Sequence, residues 1–133
     1  MWYYNNEPFE GPIDDWIGFV YCITNKVTNK KYIGKKFFWS KKTLPPLKGQ
    51  KRKRRSVIES DWKKYFGSNK ELIEESKDSV DNYHREILKL CKKRADCAYY
   101  EMKEQIEREV LFDKNYYNEF IGGKIHSSHL THD

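Results

Sequence analysis

Two tyrosines, Tyr21 and Tyr32, are spaced so that their phenols could act on one bound group. Each belongs to a short apolar run, 18–23 and 31–34, and the polar stretch 24–30 between the runs is rich in Asn and Lys. Aromatic and β-branched residues favour strands and Asn favours turns, so the pattern predicts a β-hairpin. Because cross-strand neighbours lie about 5 Å apart at Cβ, the two phenols could contact the same ligand.

The order of these and later residues resembles the signature of a nuclease family. Phe19-Val20-Tyr21, ten further residues and then Tyr32-Ile33-Gly34 are similar to the motif of the GIY-YIG nucleases, although the glycine of the first triplet is missing. Glu101, on a predicted helix, and Asn118 resemble the carboxylate and the asparagine that close the same domain. The resemblance covers residues 18–123 and is greatest to small, free-standing phage enzymes, many of which are homing-type endonucleases.

The resemblance implies hydrolysis of phosphodiester bonds in DNA by water. In the family, one glutamate holds one divalent metal ion through the target phosphate, and a tyrosine is the base or its relay. Carried over to this chain, Glu101 is the ligand of one Mg²⁺ (or Mn²⁺) ion, Tyr21 is the base and Tyr32 orients water or phosphate. Glu104 is the second choice for the metal ligand. Asn118 either hydrogen-bonds backbone near the site, as its counterpart does, or serves a turn, as Asn most often does.

Tyr21 requires help to act as a base at neutral pH, because the ordinary pKa of tyrosine is about 10. Cationic neighbours or the metal ion would have to lower this pKa. Lys35 and Lys36 are the nearest cations along the chain. Since successive residues of a strand point to opposite faces, we expect Lys36, which has the parity of Tyr32, to lie on the face of the phenols.

The chain departs from the family at the arginine usually found on the helix after the second strand. Asp61 occupies that place, and an acid cannot stabilise additional negative charge. Four basic residues could substitute for the arginine, namely Lys36, Arg54, Arg55 and Arg85. Arg85 is favoured because it stands at the start of a predicted strand. Tyr65 occupies the place where many members of the family have histidine.

A strongly basic stretch follows the hairpin. Between residues 48 and 55 there is no acid, and the basic residues are Lys48, Lys51, Arg52, Lys53, Arg54 and Arg55. From Lys48 to Ser56 the chain also lacks apolar residues and follows Pro45-Pro46, so we expect a solvated loop over 48–56. Beside a nuclease motif, such a loop is predicted to hold DNA phosphates.

Composition favours a polyanionic partner. The 133 residues include 26 Lys and Arg against 20 Asp and Glu, a net charge of +6 with a pI near 9.1. This length suits one domain. No apolar run reaches the roughly 20 residues of a membrane span, and the first residues lack the pattern of a secretion signal. We therefore expect a cytoplasmic protein that does not associate with membranes, and its three cysteines are predicted to be free thiols.

The elements that position these residues form a small α/β domain of the α+β type. Residues 83–90 are predicted to add a third strand, giving a central three-stranded antiparallel sheet flanked by helices. Helices are predicted to start at Ser60-Asp61-Trp62 and to span Lys70–Ser76 and Arg94–Leu111. On the last helix, Ala98, Met102 and Ile106 recur about every four residues, which indicates its buried face. Residues 1–16 are predicted to be an irregular arm, 17–123 the nuclease-like domain and 124–133 a polar tail.

The sequence thus favours a metal-dependent DNA endonuclease of the phage homing or DNA-processing kind. A single metal ion and a small site imply that a double-strand break requires two nicks or a homodimer. Two other functions stay open. One is a nucleic-acid-binding module of the same fold with weak catalysis. The other is a phage accessory protein that binds a host protein through the acidic helix 101–109.

Overall fold

The computed structural model describes residues 1–132 and, with the exception of Arg55, their side chains. The strands are β1 (Trp2–Tyr4), β2 (Glu7–Phe9), β3 (Gly18–Asn25), β4 (Lys31–Phe37), β5 (Trp39–Leu44), β6 (Arg54–Glu59), β7 (Tyr83–Cys91), β8 (Phe120–Ile121) and β9 (Ile125–His126). The helices are α1 (Lys70–Ser76) and α2 (Arg94–Glu107), with 3₁₀ turns at Trp62–Lys64, Val80–Asn82 and Ser127–His129. None of the helices within residues 1–132 is long and apolar enough to cross a membrane.

A five-stranded sheet in the order β2-β1-β7-β3-β4 is the centre of the fold. Strand β3 is antiparallel to both β4 and β7, which confirms the predicted three-stranded antiparallel core and the α+β class. Strand β1 adds to β7 in parallel, and β2 adds to β1.

The prediction of an irregular N-terminal arm is wrong, because residues 2–9 form a hairpin that extends the sheet. The turn consists of Asn5 and Asn6, both with positive φ, at 52° and 67°. Such φ values are typical of the tight turns that join two short strands. Trp2 is 1% exposed, and its Nε1 donates to the carbonyl of Trp62 at 2.7 Å. The hairpin therefore belongs to the core.

Two apolar layers cover the two faces of the sheet because alternate residues of β3 point to opposite sides. Phe19, Tyr21 and Ile23 pack with the aromatic side chains around Trp62. Val20 and Cys22 pack on the other face with residues of α2 and the segment after it. Strand β3 is thus buried on both faces and fixes the position of Tyr21.

Helix α2 begins where predicted, at Arg94, but ends at Glu107 rather than at Leu111. Its buried face is offset from the apolar repeat, since Ala98 and Met102 are only half-buried. Cys97, Glu101 and Gln105 are buried, whereas Ile106 is 56% exposed. The apolar repeat misleads because polar partners on β4 satisfy Glu101 and Gln105, so that these residues face the sheet at little cost.

Helix α1 has the predicted bounds, and Asn69 caps it. Asn69 Oδ1 accepts a hydrogen bond from the backbone N–H of Leu72 at 3.1 Å, which satisfies a free donor at the helix start. The helix predicted to open at residues 60–62 is only the 3₁₀ turn Trp62–Lys64.

Strands β5 and β6 form a separate two-stranded sheet. The predicted loop over 48–56 is therefore only partly correct, since Arg54 to Ser56 belong to β6. This strand could not be predicted because its residues contribute little to the core, with Val57 64% exposed. Near the C-terminus, β8 and β9 pair with each other across the predicted domain boundary at residue 123.

Candidate active site

The hairpin of β3 and β4 brings the two phenols together as predicted. Tyr21 pairs with Gly34, two residues after Tyr32, and the two tyrosine ring centroids are 6.2 Å apart. Gly34 is required by this geometry. A Cβ atom at Gly34 would lie 2.7 Å from Cζ of Tyr21 and 3.1 Å from Cε2 of Tyr32. The glycine therefore leaves the space that both rings fill.

Tyr21 is 1% exposed and lies among aromatic rings. Tyr65 packs edge-on against it at 5.9 Å between centroids. Burial, followed by the neighbouring Tyr65 and Tyr32, raises the pKa of Tyr21 well above its ordinary value. This direction is opposite to the lowering that a resident base requires, so the phenol of Tyr21 is protonated at neutral pH.

Tyr32 lies nearer the surface and lines a cavity. Its hydroxyl is 2.9 Å from Ser68 Oγ. Burial raises the pKa of Tyr32, while the bond from Ser68 acts in the opposite direction. The cavity measures about 380 Å³, and its other lining residues are Lys35, Ser68, Glu101, Gln105, Phe120, Gly122 and Gly123.

Glu101 projects from α2 into the same cavity, with 11% of its side chain exposed. Lys35 Nζ lies 3.4 Å from Glu101 Oε1. Burial raises the pKa of Glu101, and Lys35 partly offsets this effect. The carboxylate thus has one cation beside it and still faces the cavity.

This environment fits one divalent ion with a single protein ligand. Mg²⁺ prefers oxygen ligands, retains waters and is commonly held by one or two carboxylates together with substrate phosphates. Within the described part of the chain, no group of three or more His, Cys, Asp or Glu residues could enclose an ion. Glu101 could therefore be the protein ligand. The ammonium of Lys35 already lies beside its carboxylate, so a positive charge is accommodated at this position.

The cation beside Glu101 is Lys35 and not Lys36. Lys36 Nζ lies 2.7 Å from Asp61 Oδ1 and 4.3 Å from the ring centroid of Tyr65. Lys36 lies on the face of Tyr21, as expected from the alternation of residues along β4. Because β4 is the edge strand, however, the cavity opens around the edge and collects side chains from both faces of the sheet.

Arg85 is 5% exposed and is held by contacts within the protein. Its Nη1 donates to the carbonyls of Lys63 at 3.1 Å and Tyr65 at 2.8 Å. The guanidinium also stacks on Trp2 and Phe66. Burial lowers the pKa of Arg85 to about 10. These contacts favour a structural role over the predicted role at phosphate, because the guanidinium already holds the segment that carries Tyr65.

Asn118 hydrogen-bonds backbone, which decides between the two alternatives left by the sequence. Its Oδ1 accepts from the N–H of Ile33 at 3.0 Å and its Nδ2 donates to the carbonyl of Ile33 at 2.8 Å. Gln105 Nε2 donates to the same carbonyl at 3.1 Å. Both amides occupy backbone groups at the free edge of β4 and so fix the residues on either side, Tyr32 and Gly34. Sequence reasoning missed Gln105, although it follows Glu101 by one helical turn.

The six predicted DNA-binding residues lie in the β5–β6 region. Lys48, Lys51, Arg52 and Lys53 are exposed in the loop between the strands, and Arg54 is exposed at the start of β6. The side chain of Arg55 lies outside the described residues. A cluster of exposed cations is available here for a polyanion.

Comparison with known proteins agrees with this architecture. The family model described as "Putative endonuclease segE, GIY-YIG domain" matches residues 2–121. No curated protein and no solved structure matches the chain. The matched range includes the N-terminal hairpin, both tyrosines, Glu101 and Asn118. The chain therefore belongs to the segE-type GIY-YIG endonuclease family, as its motif resemblance predicted.

Proposed function

We propose that this protein is a Mg²⁺-dependent endonuclease that hydrolyses phosphodiester bonds in DNA. The proposal is carried by one observation: Tyr32, Lys35 and Glu101 line one cavity, and Tyr21 packs against Tyr32. A carboxylate, a cation and hydroxyl donors are the groups that hydrolysis of a phosphodiester requires.

Glu101 would hold one Mg²⁺ (or Mn²⁺) ion together with the target phosphate. When bound, such an ion neutralises charge that develops on the phosphate oxygens. Lys35 would move its ammonium from Glu101 to the phosphate as the substrate enters. Tyr32, held by Ser68 at 2.9 Å, would donate its hydroxyl to water or phosphate.

Tyr21 would act as a relay rather than as a resident phenolate, since its raised pKa keeps it protonated. A neutral phenol can accept a proton from the attacking water only if its own proton leaves. We assign that proton to an oxygen of the target phosphate, which gains basicity as water bonds to phosphorus. The P–O bond to the leaving oxygen then breaks, and the leaving oxygen takes up this proton. This role needs no lowering of the pKa by Lys36, whose ammonium is paired with Asp61.

The two adjacent lysines provide a matched test of the site. Lys35→Ala should lower the single-turnover cleavage rate by roughly 10²-fold, because one cation aimed at the developing charge is lost. Lys36→Ala should leave most of the rate, since Lys36 pairs with the exposed Asp61. Rates would be measured on plasmid DNA at saturating Mg²⁺. A larger loss in Lys36→Ala would return the phosphate contact to the lysine predicted from the sequence.

A binding module with weak catalysis is the second candidate, and it is favoured by Asp61. This residue stands where the family usually has arginine, and it also pairs with Lys36 at 2.7 Å. Both facts reduce the positive charge available for a transition state. We further propose that the enzyme acts in the cytoplasm, in homing or in DNA processing. It would nick DNA as a monomer or cut both strands as a homodimer.

Supercoiled plasmid distinguishes the two candidate functions. Purified protein should convert it to nicked or linear DNA with Mg²⁺ or Mn²⁺ and should leave it intact in EDTA. If the protein bound DNA but did not cleave it, with several metal ions and with both single-stranded and duplex substrates, the binding module would be favoured. A protein that neither binds nor cleaves DNA would contradict both.

A further inference from the structure

The ribbon formed by β5 and β6 is fixed at its base and free along its length. It runs through six residue pairs, from Trp39 opposite Glu59 to Leu44 opposite Arg54. At the base, Trp39 Nε1 donates to the carbonyl of Trp16 at 2.9 Å, and the N–H of Ser60 donates to the carbonyl of Phe38 at 2.7 Å. The ribbon is therefore attached to the buried core rather than to a flexible linker.

Both faces of the ribbon are exposed. Val57 and Ile58 are neighbours on β6 and point to opposite faces, and they are 64% and 44% exposed. An isolated two-stranded hairpin is marginal in water, because it has no third layer to pack on. A sheet that lay flat on its own domain would hide one face. A ribbon with two open faces is instead suited to a partner that surrounds it.

The charge of the ribbon identifies the partner as a polyanion. Between residues 40 and 58 the sequence contains eight basic residues and no acid, namely Lys41, Lys42, Lys48, Lys51, Arg52, Lys53, Arg54 and Arg55. Among the described side chains of this stretch, none forms an ion pair with a carboxylate. Arg54 Nε bonds only the carbonyl of Pro45, at 3.3 Å, within that described part.

The dimensions favour the major groove of duplex DNA. One sheet layer with its side chains is about 10 Å thick, and six residues of strand extend about 20 Å. The major groove is about 12 Å wide and the minor groove about 6 Å. A two-stranded ribbon fits the first without deforming the DNA, whereas the second would have to widen to admit it.

We propose that residues 39–59 insert as a β-ribbon into the major groove of the DNA that this enzyme cleaves. Lys41 and Lys42 point to opposite faces of β5 and reach base edges from both sides of the ribbon. The basic tip, 48–53, then meets the phosphates that border the groove. This inference rests on the proposed DNA endonuclease and adds the element that gives it sequence preference.

Binding in EDTA tests the inference without cleavage. The wild-type protein would be titrated with a plain duplex, with the same duplex carrying bulky groups at C5 of its pyrimidines, and with the plain duplex saturated with netropsin. The C5 groups project into the major groove, whereas netropsin occupies the minor groove. We expect roughly tenfold weaker binding to the C5-substituted duplex and unchanged binding with netropsin.

Variants assign this sensitivity to the ribbon. Lys41→Ala with Lys42→Ala should weaken binding to the plain duplex and remove the difference between plain and C5-substituted DNA. Lys77→Ala with Lys103→Ala removes the same charge from the residue after α1 and from an exposed position on α2, and it should retain that difference. Replacing residues 45–53 by Asn-Gly keeps the pair of Leu44 and Arg54 in a two-residue turn. This variant should bind both duplexes more weakly and with a smaller salt dependence, and it should retain the difference between them.

The outcomes separate this inference from the function on which it rests. Displacement by netropsin, or equal binding to plain and C5-substituted DNA, would overturn major-groove insertion and leave the endonuclease to be judged by plasmid cleavage. Equal losses in the two double variants would also overturn it. If the wild-type protein binds no duplex at all, both the inference and the proposed function fail.

Discussion

Replacing Glu101 with glutamine should lower metal-dependent DNA cleavage by at least roughly 10³-fold, because several kcal/mol of charge stabilisation in the transition state depends on the bound ion. Glutamine keeps the size of the side chain and can still accept the hydrogen bond from Lys35, so the fold should be retained. It lacks the negative charge that a hard cation requires. Single-turnover rates on plasmid DNA over a Mg²⁺ titration would measure the loss.

Glu104→Gln is the matched control, one turn along the same helix. Glu104 Oε2 is bound by Arg108 Nε at 2.9 Å, outside the set of residues that line the cavity. This variant should cleave at nearly the wild-type rate, and both variants should bind DNA in EDTA as the wild type does. If Glu101→Gln cleaved at the wild-type rate and Glu104→Gln lost cleavage, the metal ligand would be Glu104, the alternative that the sequence leaves open.

Tyr21→Phe should lower the cleavage rate by roughly 10² to 10⁴-fold, the range for loss of a group that transfers a proton. The ring continues to pack against Tyr32 and Tyr65, so the free energy of unfolding should change little. The raised pKa of Tyr21 makes a second result testable. If Tyr21 were a base with a lowered pKa, the cleavage rate would rise with pH and level off above that pKa. If Tyr21 is a protonated relay, the rate shows no such plateau across neutral pH.

Tyr99→Phe is the control for loss of a phenol elsewhere. Tyr99 is 63% exposed on α2, so this variant should cleave like the wild type. Rates, their pH dependence and urea unfolding would be measured for both variants beside the wild type. Wild-type cleavage by Tyr21→Phe would show that Tyr21 serves packing alone, and a large loss of stability in that variant would prevent a catalytic interpretation of its rate.

The hairpin that carries both tyrosines could be predicted because its information is local. Strand-forming residues flank a polar turn, and residues so near in sequence are placed by the pairing itself. The same holds for α1, whose Asn69 cap lies three residues from its partner Leu72. The short strands β1 and β2 could not be predicted, since β1 is fixed by β7, more than eighty residues away along the chain.

The sequence by itself determined the chemistry available to this protein. Tyr21, Tyr32, Glu101 and Asn118 stand in an order that indicates the family, and a net charge of +6 favours a polyanion. Residue types and local spacing can be read from the sequence because they do not depend on contacts between distant residues.

Only the tertiary structure decided which of these groups meet. The faces of α2 were decided by polar partners on β4, which turned Glu101 and Gln105 inward despite an apolar repeat on another side. The choice of Lys35 over Lys36 beside Glu101 followed from the position of β4 at the sheet edge. Both results depend on packing between elements far apart in the chain, where the cost of burying a polar group is set by the partner it finds.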